Sequence, residues 1–224
     1  DAPSLKGISL FDSLSSSERK ELEKKCRWHE YGERERIVEQ GEARTDVFFL
    51  VSGKAHVLNF SESGRVIEYA TIEEGDVFGE FSAIDGLSRS AWVMAMEVCV
   101  VASMPGSDFM HLVTNNPDVA LALMRKLTGI IRLSDERMAN FSLLGAEQRV
   151  CLELIRLAEA DPDDPDTLVI APIPNQTNMA NVIGASRETV ARVLGQLRRD
   201  SVIERTDGAI FIRNRENLEK RALF

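Results

Sequence analysis

Residues 175–197 read NQTNMANVIGASRETVARVLGQL, with Ala180, Gly184 and Val190 four and six positions apart. That spacing predicts two short helices joined by a tight corner. The small Ala180 lets the helices approach closely, Gly184 takes a left-handed turn, and the β-branched Val190 packs inside the corner. Ser186 is placed to cap the second helix, with Thr189 three positions on, where a capping box would prefer Glu or Gln. A generic helical hairpin can share this spacing. Downstream, however, Asp207-Gly208 marks a hairpin turn that would add a β-wing to the helix pair.

Charge points the same way. The chain carries a formal net charge of −9, yet residues 171–215 hold seven arginines and no lysine against Glu188, Asp200, Glu204 and Asp207, or 7 − 4 = +3. The remainder is therefore −12. A solvated helix face is the usual reading of such a run, but a basic island in an acidic chain speaks of a polyanionic partner. The second helix carries Arg187, Glu188 and Arg192 near its N-terminus, the side that enters a DNA major groove. Arginine can grip guanine O6 and N7 with a two-pronged donor, and a carboxylate can accept from cytosine N4. The expected partner is double-stranded DNA.

Outward from this stretch the chain reads as two further zones. Between about Glu35 and Met104, RIVEQG, DVFFLVSG, KAHVLNF, RVIEYATI, WVMAM and EVCVVASM are short β-prone runs, with SESG as one of the turns between them. They predict an antiparallel sandwich or roll. The preceding SSSERKELEKKCRWHEY reads as a short amphipathic helix. From Pro117 to about Leu144, Ala120, Met124, Leu127, Ile131, Ser134, Met138 and Phe141 recur at steps of 4, 3, 4, 3, 4 and 3. This heptad seam lets two helices interlock, although a helix packed on its own domain would also need an apolar face. A further helix, AEQRVCLELIRLAEA, opens the last zone after a break at Leu143 to Ala146. The expected division is residues 1–117 for the β-roll, 118–144 for the dimerisation helix and hinge, and 145–224 for a winged helix-turn-helix.

The second informative stretch is GDVFGEFSAIDGLSRSAWV, residues 75–93. It offers backbone N–H groups around Gly79, Glu80 and Phe81, a carboxylate at Glu80, and an arginine and hydroxyl at Arg89 and Ser90. Arginine with amides and a hydroxyl suits a phosphate, and a carboxylate suits a sugar hydroxyl. As a bare pattern this is weak.

GASRETVARVLGQL resembles the recognition helix of the cyclic-AMP receptor and fumarate-nitrate regulator family of bacterial transcription regulators. FGEFSAIDGLSRSA is similar to the phosphate-binding cassette of cyclic-nucleotide-binding domains. The resemblance covers nearly the whole chain and implies an α+β fold: β-roll, long dimer helix, winged helix-turn-helix. It implies that Ser186, Arg187, Glu188 and Arg192 meet DNA, the last three reading G, C and G of a GTGA-type half-site in a palindromic target. By the same likeness Glu80 takes a ribose 2′-hydroxyl, Arg89 and Ser90 take the cyclic phosphate, and backbone groups of Gly79, Glu80, Phe81 and Ser82 complete the cradle. Ser134 matches the family's adenine-contacting threonine. Asp135 stands where the family places a hydroxyl donated by the partner subunit. Phe81 replaces a common leucine, and the Glu80-to-Arg89 separation of nine resembles eukaryotic kinase regulatory domains. The ligand so implied is cyclic AMP acting allosterically, and the partners are DNA, a second copy of the chain and RNA polymerase. A sister regulator on the same scaffold would sense cyclic GMP, redox state or a gas.

Other classes find little support. No GxSxG, HExxH or Walker loop occurs, so no enzyme is expected. Cys26, Cys99 and Cys151 are scattered, and His29, His56 and His111 stand apart, so no metal site is expected. An iron–sulfur sensor needs several cysteines near the N-terminus, where only Cys26 stands. The longest apolar runs fall short of a membrane span, and DAPSLKGISLFDSL lacks a signal pattern, which leaves a cytoplasmic address as the expectation.

Overall fold

A computed structural model describes residues 4–60, 66–161, 164 and 167–223. The SESG turn lies outside the described residues, as do Pro162, Asp163, Pro165 and Asp166. The chain divides into two compact units between Ile131 and Arg132.

In the first unit, a 3-10 turn at Ser9–Phe11 precedes α1 (Ser16–Glu23). Ser15 caps α1 through a capping box, its hydroxyl accepting from the Glu18 N–H while the Glu18 carboxylate accepts from the Ser15 N–H. Eight strands follow: β1 (Arg27–Tyr31), β2 (Arg36–Val38), β3 (Val47–Ser52), β4 (Ala55–Phe60), β5 (Val66–Ile72), β6 (Val77–Phe78), β7 (Trp92–Ala95) and β8 (Cys99–Met104). They form two antiparallel sheets of order β1-β8-β3-β6 and β2-β7-β4-β5, the roll that the alternating runs predict. The sequence reading placed Arg27–Tyr31 in the first helix, and the structure corrects this. Residue by residue, Arg27 to Tyr31 pairs with Ser103 back to Cys99, so the backbone groups are satisfied across a sheet instead of along a helix. Two helices not anticipated from the sequence, α2 (Glu80–Asp85) and α3 (Gly106–Asn115), flank the last two strands.

The core of this unit centres on Phe49. Its ring lies 4.9 Å from that of Phe11 and 6.5 Å from that of Phe109, among Leu5, Val47, Met104 and Leu123. Each such fully buried side chain contributes roughly 1.5–3 kcal/mol. Leu123 belongs to α4 (Pro117–Leu143), whose first turns therefore anchor to the roll.

In the second unit, α5 (Ala146–Leu157) is followed by β9 (Glu159–Ala160) and β10 (Leu168–Ile170). The helix was expected to run to Ala160, but its last residues turn into a strand that pairs with β10. Next come α6 (Gln176–Ile183), α7 (Arg187–Arg199), the hairpin β11 (Ile203–Arg205) and β12 (Ile210–Ile212), and α8 (Arg215–Leu223). The hairpin turns at Asp207-Gly208 as expected, with the Thr206 N–H donating to the Ala209 carbonyl at 3.0 Å. It widens into a four-stranded sheet of order β11-β12-β10-β9. Leu154, Val190, Val193, Leu197, Ile210 and Leu218 fill one core beneath it.

Candidate nucleotide and nucleic-acid sites

The first site forms where β6 runs through Gly79 into α2. Gly79 has φ +77, and a Cβ there would lie 2.8 Å from Nη1 of Arg89 and 3.1 Å from the Phe48 ring. Only glycine allows that approach. Arg89 itself is 4 % exposed. Its Nη1 donates to the Gly79 carbonyl at 2.8 Å and its Nη2 to the Asp46 carbonyl at 2.6 Å. The guanidinium sits 5.4 Å over the Phe48 ring, which stacks on Phe78 at 5.2 Å. Backbone bonds latch the same residue: its N–H donates to the Glu42 carbonyl, and its carbonyl accepts from the Gly41 N–H.

Among the described residues, Arg89 Nε is the fully buried side-chain polar atom that lacks a hydrogen-bond partner. Burial pulls the guanidinium below its ordinary value, while Asp46, Glu42 and Glu80 act to raise it. A buried cation held by neutral carbonyls and an aromatic face, with one N–H unused, is preorganised for an anion. The donor chemistry fits a phosphate.

Glu80, 3 % exposed, opens α2 in the same unit. Its Oε1 accepts from Nζ of Lys126 at 3.0 Å, and that ammonium also donates to the Val77 carbonyl. Nothing in the sequence pattern singles out Lys126, because it lies 46 residues further on and only the packing of α4 brings it here. Ser82 is buried, whereas Phe81 and Ser90 are exposed. The Ser90 carbonyl accepts from Nε2 of Gln40 at 3.3 Å. Gly79 accepts from Arg89 directly, and Glu80, Phe81 and Ser82 follow it in the chain as the first turn of α2. Ser134 and Asp135 lie on the exposed surface of α4, past the division between the units.

The second site is the α6–α7 corner. Asn175 caps α6 by accepting from the Thr177 N–H at 2.8 Å. Gly184 ends that helix at φ +63, and the Ala185 N–H returns to the Ala180 carbonyl at 2.9 Å. The Ser186 hydroxyl accepts from the Thr189 N–H at 3.1 Å, the cap expected from the sequence. Val190 is fully buried and Ala180 nearly so. Arg187, Glu188, Ala191 and Arg192 share the opposite, solvent-facing side of α7. The Glu188 carboxyl is held below its usual range by its own backbone N–H and the Ser186 hydroxyl, so it remains an acceptor at neutral pH.

A Cβ on Gly184 would collide with the Phe141 ring. Left-handed backbone costs a non-glycine residue roughly 1–2 kcal/mol before any collision. Gly184→Ala should therefore lower stability by at least about 1 kcal/mol, seen as a reduced midpoint in thermal denaturation followed by circular dichroism. An unchanged midpoint would mean that the corner does not require the left-handed turn.

The heptad residues of α4 split in their environments. Met124, Ile131, Met138 and Phe141 are 47–66 % exposed in the single chain, and Ala120 and Leu127 are half-buried. Phe141 also lies beneath the Arg149 guanidinium at 5.3 Å. Arg149 donates from Nε to the Ile183 carbonyl at 2.9 Å and from Nη1 to the Leu144 carbonyl at 2.6 Å. Burial pushes the Cys26 and Cys151 thiols up to about 11, which keeps both protonated and unreactive at neutral pH. No metal-binding group of His, Cys, Asp and Glu occurs among the described residues.

Comparison with known proteins bears on both sites. Residues 28–116 match the family of the cyclic nucleotide-binding domain, and residues 148–221 match that of the Crp-like helix-turn-helix domain. The chain is 31 % identical over 182 residues to the cAMP-activated global transcriptional regulator CRP of Salmonella typhimurium, covering 80 % of this chain and 85 % of that one. Among solved structures it resembles a CooA variant from Carboxydothermus hydrogenoformans with a TM-score of 0.81 at 19 % identity, over 96 % of this chain and 95 % of the other. FixK2 from Bradyrhizobium japonicum matches with a TM-score of 0.70 at 24 % identity, over 87 % of this chain and 96 % of the other. These two likenesses speak to the fold.

Proposed function

The chain belongs to the cyclic-AMP receptor family of cyclic-nucleotide-binding transcription regulators, and from that premise we propose that it is a homodimer which binds a palindromic DNA site when cyclic AMP fills the Arg89 pocket. One observation carries the ligand assignment: the buried Arg89 guanidinium with its unpartnered Nε, within the electrostatic influence of the buried Glu80 carboxylate. Arg89, Ser90 and the backbone of Gly79 to Ser82 take the cyclic phosphate. Glu80 accepts from the ribose 2′-hydroxyl. Ser134, with Asp135 beside it, meets the adenine. Because α4 runs on from Ser134 to the break before α5, nucleotide binding biases how the two copies present α7. Coupling of this kind is typically about 1–3 kcal/mol and reciprocal, so DNA tightens cyclic AMP binding by the same factor.

We further propose the division 1–117, 118–144 and 145–224, a cytoplasmic address, and RNA polymerase as partner on the DNA. No helix among the described residues is long and apolar enough to cross a membrane. Titration calorimetry with cyclic AMP, cyclic GMP and linear AMP tests the ligand. Binding of cyclic AMP well above linear AMP is expected. Equal or absent binding, or a visible absorbance band from a bound cofactor, would move the chain to a sensor of another signal.

On DNA, two recognition helices read half-sites whose centres lie about one helical turn apart. Arg187→Ala and Arg192→Ala should each lose about 1–3 kcal/mol and relax the preference at one base position. Binding to a panel of single-base variants measures this. Uniform weakening over the panel would assign both arginines to phosphates.

A further inference from the structure

The pocket contains a residue that none of these assignments uses. Lys126 is carried on α4, yet its ammonium reaches the turn between β6 and α2, donating to both the Val77 carbonyl and Glu80 Oε1. Its side chain is 27 % exposed against 4 % for the Glu80 side chain, so the pair is largely withdrawn from water. A carboxylate that deep needs a partner, and a lysine supplies a compact charge with three donors. Two of the three go to residues that lie on either side of Gly79. The contact therefore fixes the carboxylate relative to the turn that holds Arg89. With Oε1 engaged by Lys126, Oε2 is left as the acceptor for a hydroxyl.

We propose that Lys126 is the positioning residue for Glu80 and thereby sets the pocket's preference for a ribose 2′-hydroxyl. The inference rests on the reading that Glu80 recognises that hydroxyl. Lys126 acts on the sugar through Glu80 and leaves the phosphate to Arg89, so its removal should be felt only by ligands that carry the hydroxyl. A lysine that merely stiffened the unit would influence every nucleotide alike.

The test compares cyclic AMP with 2′-deoxy cyclic AMP by titration calorimetry on the whole chain, for the unaltered protein, Glu80→Gln, Lys126→Met and Lys126→Arg. A hydrogen bond to a charged group discriminates by about tenfold to a hundredfold, and that preference is expected of the unaltered protein. Lys126→Met should reduce it to about threefold or less, near the Glu80→Gln value, by weakening cyclic AMP alone. Lys126→Arg should restore most of it. Full discrimination in Lys126→Met, or equal weakening of both ligands, overturns the role of Lys126 while leaving Glu80 on the ribose. No discrimination by the unaltered protein instead overturns the Glu80 reading, and with it the proposal. If Lys126→Met does not fold, Lys126→Gln, which can donate but carries no charge, decides on the same ratio.

Discussion

Arg89→Ala is expected to bind cyclic AMP more weakly by about 2–5 kcal/mol, some thirtyfold to several thousandfold. The size of the loss follows from the enclosure of the group. Arg89 is almost wholly buried, so a phosphate held against it would be largely removed from water. Removing one member of a buried ion pair leaves the other uncompensated, which costs more than the pair itself contributes. Truncation also strips donors from the Gly79 and Asp46 carbonyls. Arg89→Lys separates the two effects, because an ammonium keeps the charge but cannot serve both carbonyls and the phosphate in one plane. Calorimetry should place the lysine variant between the other two, with circular dichroism confirming that all three are folded. An alanine variant that binds normally would remove the pocket from consideration.

The second large effect concerns assembly. Ile131→Asp combined with Met138→Asp should convert the dimer to monomers in analytical ultracentrifugation at micromolar concentration. Ile131 is 59 % and Met138 66 % exposed in the single chain, so neither supports its own fold and both are free to meet a second copy. Met124, in the same unit as Ile131, is likewise exposed, and exposed apolar side chains of this size are the kind that mark an interaction surface. Two aspartates per protomer would place four carboxylates in the closed seam, each costing several kcal/mol if left unpaired there. Because the altered side chains lie on the surface of the single chain, circular dichroism should show the fold retained, while the thermal midpoint loses its dependence on protein concentration. A persistent dimer would place the interface elsewhere.

How far the sequence alone carried this reading depends on the range of the forces involved. The α6–α7 corner was legible because its determinants are local. Gly184 allows the left-handed turn, the Ser186 hydroxyl meets an N–H three residues on, and Ala180 and Val190 are set by helical spacing. The β-roll was legible for a similar reason, since short β-prone runs broken by turn residues are written along the chain itself. Arg27–Tyr31 defeated local reasoning because a polar, aromatic segment following a helix has no strong preference of its own. It becomes a strand because β8, some 70 residues away in the sequence, offers unpaired backbone groups that must be satisfied.

The same contrast holds at the candidate nucleotide site. Gly79, Glu80 and Arg89 could be named from one short stretch, because the turn and the donor types lie within it. Only the tertiary structure decided that Arg89 is clamped by the carbonyls of Gly79 and Asp46 with Nε left over. It also decided that Lys126 meets Glu80. Those contacts join α4 and the loop before β3 to the β6–α2 turn. A buried charge takes its partner from whatever the packing brings within about 3 Å, and spacing along the chain does not encode that distance.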